Sequence, residues 1–234
     1  MPKLRPIVAV VTGDVIRSRR YSDVARRRVD RVLRATFSEA ERKFPTSFKT
    51  GLAFRITAGD EFQCVLSDVA EALRIVTYAR AVAATSPVSP PLRFRVSVGI
   101  GEIAVSKGHN SYEQDGTAFA RARQGLIHVT DARTLTALVT GDAALDATAV
   151  AMLGLTDHLT QGWTVSQWEA IRWAILRQTR EQIARVVKVA HQNVTKRLQA
   201  AGWAPFEAAI GFLGHSLQER VGTPRRVQRP VAPS

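Results

Sequence analysis

Two Gly-Asp pairs place acidic side chains where metal chemistry would need them. Thr12-Gly13-Asp14 closes the apolar run Ile7-Val8-Ala9-Val10-Val11. Ala58-Gly59-Asp60-Glu61-Phe62 lies between the apolar-rich runs Leu52–Ile56 and Phe62–Leu66. Two or three carboxylates at one strand edge repel one another, and a divalent cation between them removes that cost. Mg2+ carrying a nucleotide phosphate is the usual occupant, with Mn2+ as a substitute. A single Gly-Asp is also ordinary turn chemistry. The coincidence of two such pairs in the topology read below favours the metal site.

The surrounding elements decide whether those carboxylates meet. The all-apolar run at residues 7–11 predicts a central strand buried on both faces. A helix follows from about Ser22, a plausible N-cap, to Phe44. Val29, Val32, Leu33, Phe37, Ala40 and Phe44 form its apolar stripe, and Pro45 ends it. A hairpin turning at Thr57–Asp60 comes next, with Gly59 supplying the positive φ. A second helix is predicted from Ser67 or Asp68 to Ala84, then a Pro-rich connector at 86–91. Residues 92–100 alternate apolar and polar and read as a half-buried strand. The order β-α-β-β-α-β is ferredoxin-like, with both helices on one face. In that arrangement the end of the first strand meets the start of the third. Asp14 and Asp60 are then neighbours, with Glu61 close by. Another helix opens near Asp115, a further strand is expected at 134–140, and an Ala-rich helix at 142–159.

The charge balance narrows the partners. The chain has 234 residues, 45% of them hydrophobic, and a formal net charge of +13. That excess favours polyanions: nucleic acid, nucleotides or acidic lipid. The short basic loop Arg17-Ser18-Arg19-Arg20 precedes a helix N-terminus and reads as a triphosphate site or as an ordinary solvated loop. Arg121 and Arg123 lie near the start of the 115–131 region and either grip phosphates or simply decorate a surface helix. One cysteine, Cys64, excludes an internal disulfide. No run approaches the ~20 apolar residues of a membrane span. The N-terminal residues show no apolar signal region, so a cytoplasmic protein is expected.

Composition changes at about residue 160, where Trp163, Trp168 and Trp173 cluster. Thr164-Val165-Ser166-Gln167 has the form of a capping box, and Thr179 can cap a short helix to Val187. Lys188-Val189-Ala190 is a turn, followed by a helix from His191 to about Ala201. Two short helices joined by three residues predict a helix-turn-helix. The outer face of its last helix carries Gln192, Asn193, Lys196 and Gln199, with Arg197 beside them. Such side chains read base edges or hold phosphates of double-stranded DNA. Lys188 stands where many such motifs place Gly. An apolar helix at 206–217 follows, and the Pro- and Arg-rich tail at 222–234 is expected to be disordered.

Four segments taken together resemble the SatD family of bacterial proteins: Val11–Arg19, Thr57–Gln63, Arg95–Gly101 and Asp115–Arg123. More remotely, the first domain is similar to nucleotidyl cyclases and GGDEF diguanylate cyclases. That resemblance implies Asp14, the Val15 backbone and Asp60 as metal ligands, and Glu61 as the additional acidic residue. It implies Gly59 against the nucleotide, Arg123 at the transferring phosphorus, and a homodimer. Ala58 replaces the first Gly of the GGDEF pattern, and no Asn accompanies Arg121 and Arg123 on their helix.

The reading is therefore α+β: a nucleotidyl cyclase-like domain at 1–158, a helix-turn-helix domain at 159–221 and a basic tail. It is expected to be a dimeric DNA-binding transcriptional regulator that senses a nucleotide with Mg2+. The alternative is an active cyclase or nucleotidyltransferase in which Asp14, Asp60, Glu61 and Arg123 are catalytic.

Overall fold

A computed structural model describes residues 6–16, 23–49, 52, 54–58, 60–87, 91–103 and 116–222. The all-apolar run becomes the central strand β1 (Ile7–Val15). Helix α1 (Asp23–Lys43) leads to the hairpin β2 (Arg55–Ala58) and β3 (Glu61–Leu66). Then come α2 (Ala72–Ala84), β4 (Phe94–Glu102), α3 (Thr117–Asp131) and β5 (Thr136–Val139). The sheet order is β2-β3-β1-β4-β5. β1 runs antiparallel to both β3 and β4, as a ferredoxin-like unit requires, and β5 adds to β4 in parallel through the α3 crossover.

Strand alternation splits the core in two. Ala9 and Val11, Phe62 and Cys64, and Val96 and Val98 face the layer of α1 and α2. Phe37 anchors that layer, stacked on Phe54 and tilted against Phe62. Val8, Val10 and Val65 face the other side and meet Ala118 and Ala122 of α3. Contact on that side is very close. A Cβ on Gly99 would sit 2.3 Å from the Ala118 carbonyl and the Ala122 amide, so only glycine lets α3 lie this near the sheet. The two predicted helices thus share one face, and the third takes the opposite one.

Five further helices follow: α4 (Ala143–Gln161), α5 (Val165–Ala174), α6 (Arg180–Val187), α7 (His191–Ala200) and α8 (Trp203–Gly222). Thr164 with Gln167, and Thr179 with Gln182, close two complete capping boxes. Lys188 ends α6 in the left-handed region, φ 54°, where the sequence pattern calls for Gly. Trp163 packs edge-on against Trp168 and Phe206 and donates from Nε1 to the Ala201 carbonyl at 2.7 Å. The helices do not stand apart from the sheet unit. Their core runs on into that of α1 and α2. Arg172 of α5 holds Glu39 of α1 at 2.6 Å, and Arg74 of α2 donates to the Ile175 carbonyl. Among the described residues no helix is long and apolar enough to cross a membrane.

Candidate functional site

On the α3 side of the sheet the strands line up in register as rows. Val65, Val10 and Gly99 make an apolar row beneath α3. Gln63, Thr12 and Ser97 make the next, and Gln63 Nε2 donates to Thr12 Oγ1 at 3.1 Å. Glu61, Asp14 and Arg95 make the last. Polarity therefore rises towards the C-terminal end of β1, where the Gly-Asp pair sits.

Asp14 is the middle member of that last row, and its surroundings are particular. Arg95 Nε donates to Oδ1 at 2.8 Å and Nη2 to Oδ2 at 2.7 Å, a fork-on-fork pair. The side chains are 23% exposed for Arg95 and 19% for Asp14. Glu61 stands directly opposite Asp14 on β3 and is exposed. The expected carboxylate neighbour was Asp60; the register gives that place to Glu61, the first residue of β3, with Asp60 next to it in the chain.

This geometry bears on the expected Mg2+. Both oxygens of Asp14 already face a guanidinium that neutralises them. Among the described residues no three His, Cys, Asp or Glu side chains gather as a metal ion would need. As folded, the donor set does not fit a resident divalent cation, because Arg95 already supplies the positive charge.

The other expected site residues fall in different places. Arg17, Ser18, Arg19, Arg20 and Gly59 lie outside the described residues. Arg121 donates to the Ile100 carbonyl at 2.6 Å, and its guanidinium fills the space a side chain at Gly141 would take. Ile100 is five residues along β4 from Arg95, about 17 Å at the usual strand rise. Arg121 therefore braces the far end of the sheet. Arg123 is exposed on α3, whose sheet-facing residues are Ala118, Ala122, Gly125 and Val129. Neither arginine is brought to Asp14. Arg95, which sequence reasoning read only as the polar half of an alternating strand, is the residue that meets it.

At the helical end, α6 and α7 are joined by residues 188–190 as expected. Val194 and Leu198 are buried under α7, while Gln192, Asn193, Lys196 and Gln199 are exposed. Arg197 differs from its neighbours. Its Nη1 binds Glu169 at 3.1 Å and the Ser166 carbonyl at 3.3 Å, so it ties α7 to α5. Arg185 of α6 and Lys188 of the turn are exposed beside that face.

Cys64 is buried, which with the Glu41 charge pushes its thiol up to about 12, so it is an inert core side chain.

No curated protein matches the sequence. Part of the chain is similar to the active GGEEF domain of a diguanylate cyclase from Vibrio cholerae. That match has 14% identity, 57% of this chain, 82% of that one and a TM-score of 0.36. Another similar structure is a bacterial light-regulated adenylyl cyclase, at 13% identity, 58% of this chain, 76% of that one and a TM-score of 0.37. A third is the dimeric guanylyl cyclase domain of the RhoGC fusion protein from the aquatic fungus Blastocladiella emersonii, at 15%, 50%, 72% and 0.31. The SatD family matches residues 7–205, which take in the whole sheet, the Glu61–Asp14–Arg95 row and every helix through α7, and the chain belongs to that family.

Proposed function

We propose that this chain is a DNA-binding regulator whose sheet domain responds to a nucleotide. The supporting observation is the outer face of α7. Gln192, Asn193, Lys196 and Gln199 are presented to solvent after a three-residue turn, backed by two buried apolar residues. Bidentate amides suit adenine edges, and Lys196 suits phosphate. Arg197 is taken out of this surface because Glu169 holds it. The formal charge of +13 supplies the non-specific attraction. Two copies with two such helices would read half-sites one turn apart.

The nucleotide belongs to the end of the sheet that carries Asp14. A phosphate competes for Arg95, and release of Arg95 uncovers Asp14 beside Glu61. That exchange is a two-state element a ligand can bias. Mg2+ is proposed only as a companion of such release, held by Asp14, the Val15 backbone and Asp60. The active-cyclase reading is weaker, because it needs Asp14 free and an arginine near it other than its own counter-ion.

Full-length protein titrated into a randomised duplex library, followed by anisotropy on the selected sequence across a salt series, tests the DNA reading. Lys196→Ala is expected to lower the slope of log affinity against log salt by about 1, uniformly across sequences. Asn193→Ala is expected to cost about 1–3 kcal/mol of discrimination at one base pair. Binding with no salt dependence and no selected sequence would sink the DNA reading. Incubation with the four ribonucleoside triphosphates and Mg2+ or Mn2+, read by mass spectrometry against Asp14→Asn, tests turnover. A product that vanishes in the mutant would replace the sensor with an enzyme.

A further inference from the structure

A cavity of about 320 Å³ lies at the junction of the sheet unit and the helices. That is the lower end of the size range of small-molecule sites. Its walls come from α2, the approaches to β4 and β5, the end of α4 and the start of α5. Trp163, Trp168 and Phe94 supply aromatic surface, and Arg80, Arg93, Thr160 and Gln161 supply polar groups. No carboxylate lines it among the described residues.

The two arginines differ in a way that calls for an anion. Arg80 is fastened by Nη1 to Thr136 Oγ1 at 2.7 Å and by Nη2 to the Leu135 carbonyl at 2.6 Å. Asp157 balances its charge at 3.7 Å. Its Nε–H is buried and has no partner, which a folded protein rarely leaves so. Arg93 is exposed and, among the described residues, has no hydrogen-bond or ion-pair partner for its side chain. Burial lowers the Arg80 pKa, Asp157 opposes that shift and the Arg93 charge adds to it, so the two guanidiniums repel. Asp157 thus serves Arg80, and Arg93 is left on the cavity wall without an ion-pair partner among the described residues. The Arg80 guanidinium also lies 5.8 Å from the centre of the Phe94 ring, which marks where cation and aromatic surface meet.

We propose that this cavity binds a small aromatic carboxylate, its ring against Trp163, Trp168 and Phe94 and its carboxylate on Arg93, with the buried Arg80 charge behind it. The site is separate from the Asp14 row and does not rest on the nucleotide or DNA readings. An occupant would touch α2 and α5 together and so join the sheet unit to the helices that precede α6 and α7.

The probe is 4-fluorobenzoate, followed by fluorine NMR on the full-length protein, with 4-fluorobenzyl alcohol as its neutral counterpart. Saturable broadening of the benzoate at millimolar concentration is expected, with the alcohol at least about tenfold weaker, since the charge-assisted bonds are the stronger ones. Arg80 is too deeply built in to serve as the test variant. Arg93→Gln, on an exposed side chain, should weaken the benzoate about tenfold without lowering the unfolding midpoint. Ala84→Leu, which fills the cavity from the last turn of α2, should abolish binding. Equal binding of acid and alcohol would mean an apolar void only and would overturn the proposal. So would benzoate binding indifferent to both variants, or no saturable binding at all.

Discussion

Two carboxylate–arginine pairs, Asp157–Arg80 and Asp14–Arg95, share a chemistry and differ in everything around it. Asp157 is 4% exposed in its side chain and is a hub. Its Oδ2 accepts from the Leu135 and Thr136 amides, each at 2.8 Å, and Oδ1 accepts from Thr136 Oγ1 at 2.6 Å. Arg80 is its counter-charge, not its chief partner. Asp14 has the better ion pair, bidentate and short, yet no backbone donor among the described residues, and a second carboxylate across the strand. A carboxylate gripped by amides is a structural part: it fixes the start of β5 to α4. A carboxylate held by one side chain that can swing away is exchangeable. Buried ion pairs are costly to break from one side, and more exposed ones are less so. The contrast therefore separates what holds this fold from what is available for a ligand.

The largest effect is expected at the hub. Asp157→Ala leaves the buried Thr136 amide and the partly buried Leu135 amide without an acceptor and Arg80 without its counter-charge, next to Arg93. A loss of about 3–5 kcal/mol follows, read as the urea midpoint. A loss below about 1 kcal/mol would erase the distinction drawn above, because Asp157 would then be no more structural than Asp14.

A third pair is about as exposed as the Asp14 pair but has a further hydrogen bond to its carboxylate. Arg172 and Glu39 join α5 to α1, with Tyr78 donating to the same carboxylate. Burial pushes the Glu39 carboxyl up, but the Tyr78 and Arg172 bonds and the Arg172 charge outweigh it, and the net shift is downward. A folded-state pKa below the unfolded one contributes stability that is complete above the unfolded value, about 4.3 for glutamate, and is lost as pH falls through the folded value. Glu39→Gln should cost about 2 kcal/mol at neutral pH and progressively less below about pH 4, where parent and mutant midpoints converge. A mutant that stays equally weaker at every pH would show that packing, not the charge of Glu39, carries this junction.

Much of this architecture was readable from local pattern. The all-apolar 7–11 run, the alternation of 92–100 and the capping boxes at Thr164 and Thr179 each carry their own signal. So does the break at Lys188, whose left-handed backbone is what a three-residue turn demands. Three boundaries were hidden by local competition. Asp68 accepts from the Ala70 amide and makes a turn, so α2 begins at Ala72. β2 starts at Arg55 rather than Leu52, because Leu52 is buried under the opposite face of the sheet. α8 runs straight through Pro205, since a proline in a first turn removes an amide that had no helical partner. The site was half legible. Carboxylates at 14 and 60–61 were visible as turn residues, but register is a tertiary property. Only register puts Glu61, not Asp60, opposite Asp14, and sets Arg95 on the other side.

The smallest effect belongs to that row, and it discriminates most finely. Asp14→Asn removes one charge from an opposed carboxylate pair while also losing the ion pair, so stability should move by no more than about 0.5 kcal/mol. Arg95→Gln removes the only cation of the row and leaves Asp14 facing Glu61, which should cost about 1 kcal/mol. Glu61→Gln added to Arg95→Gln should restore most of that loss if like-charge repulsion causes it. The same variants decide what the row is for. With Arg95 gone, two opposed carboxylates are the arrangement that attracts a divalent ion, and millimolar Mg2+ should raise the Arg95→Gln midpoint while leaving the parent unmoved. A parent stabilised by Mg2+ as strongly as the variant would show that Arg95 never competes with the ion. A variant blind to Mg2+ would confine Asp14 to the ion pair in which it is seen.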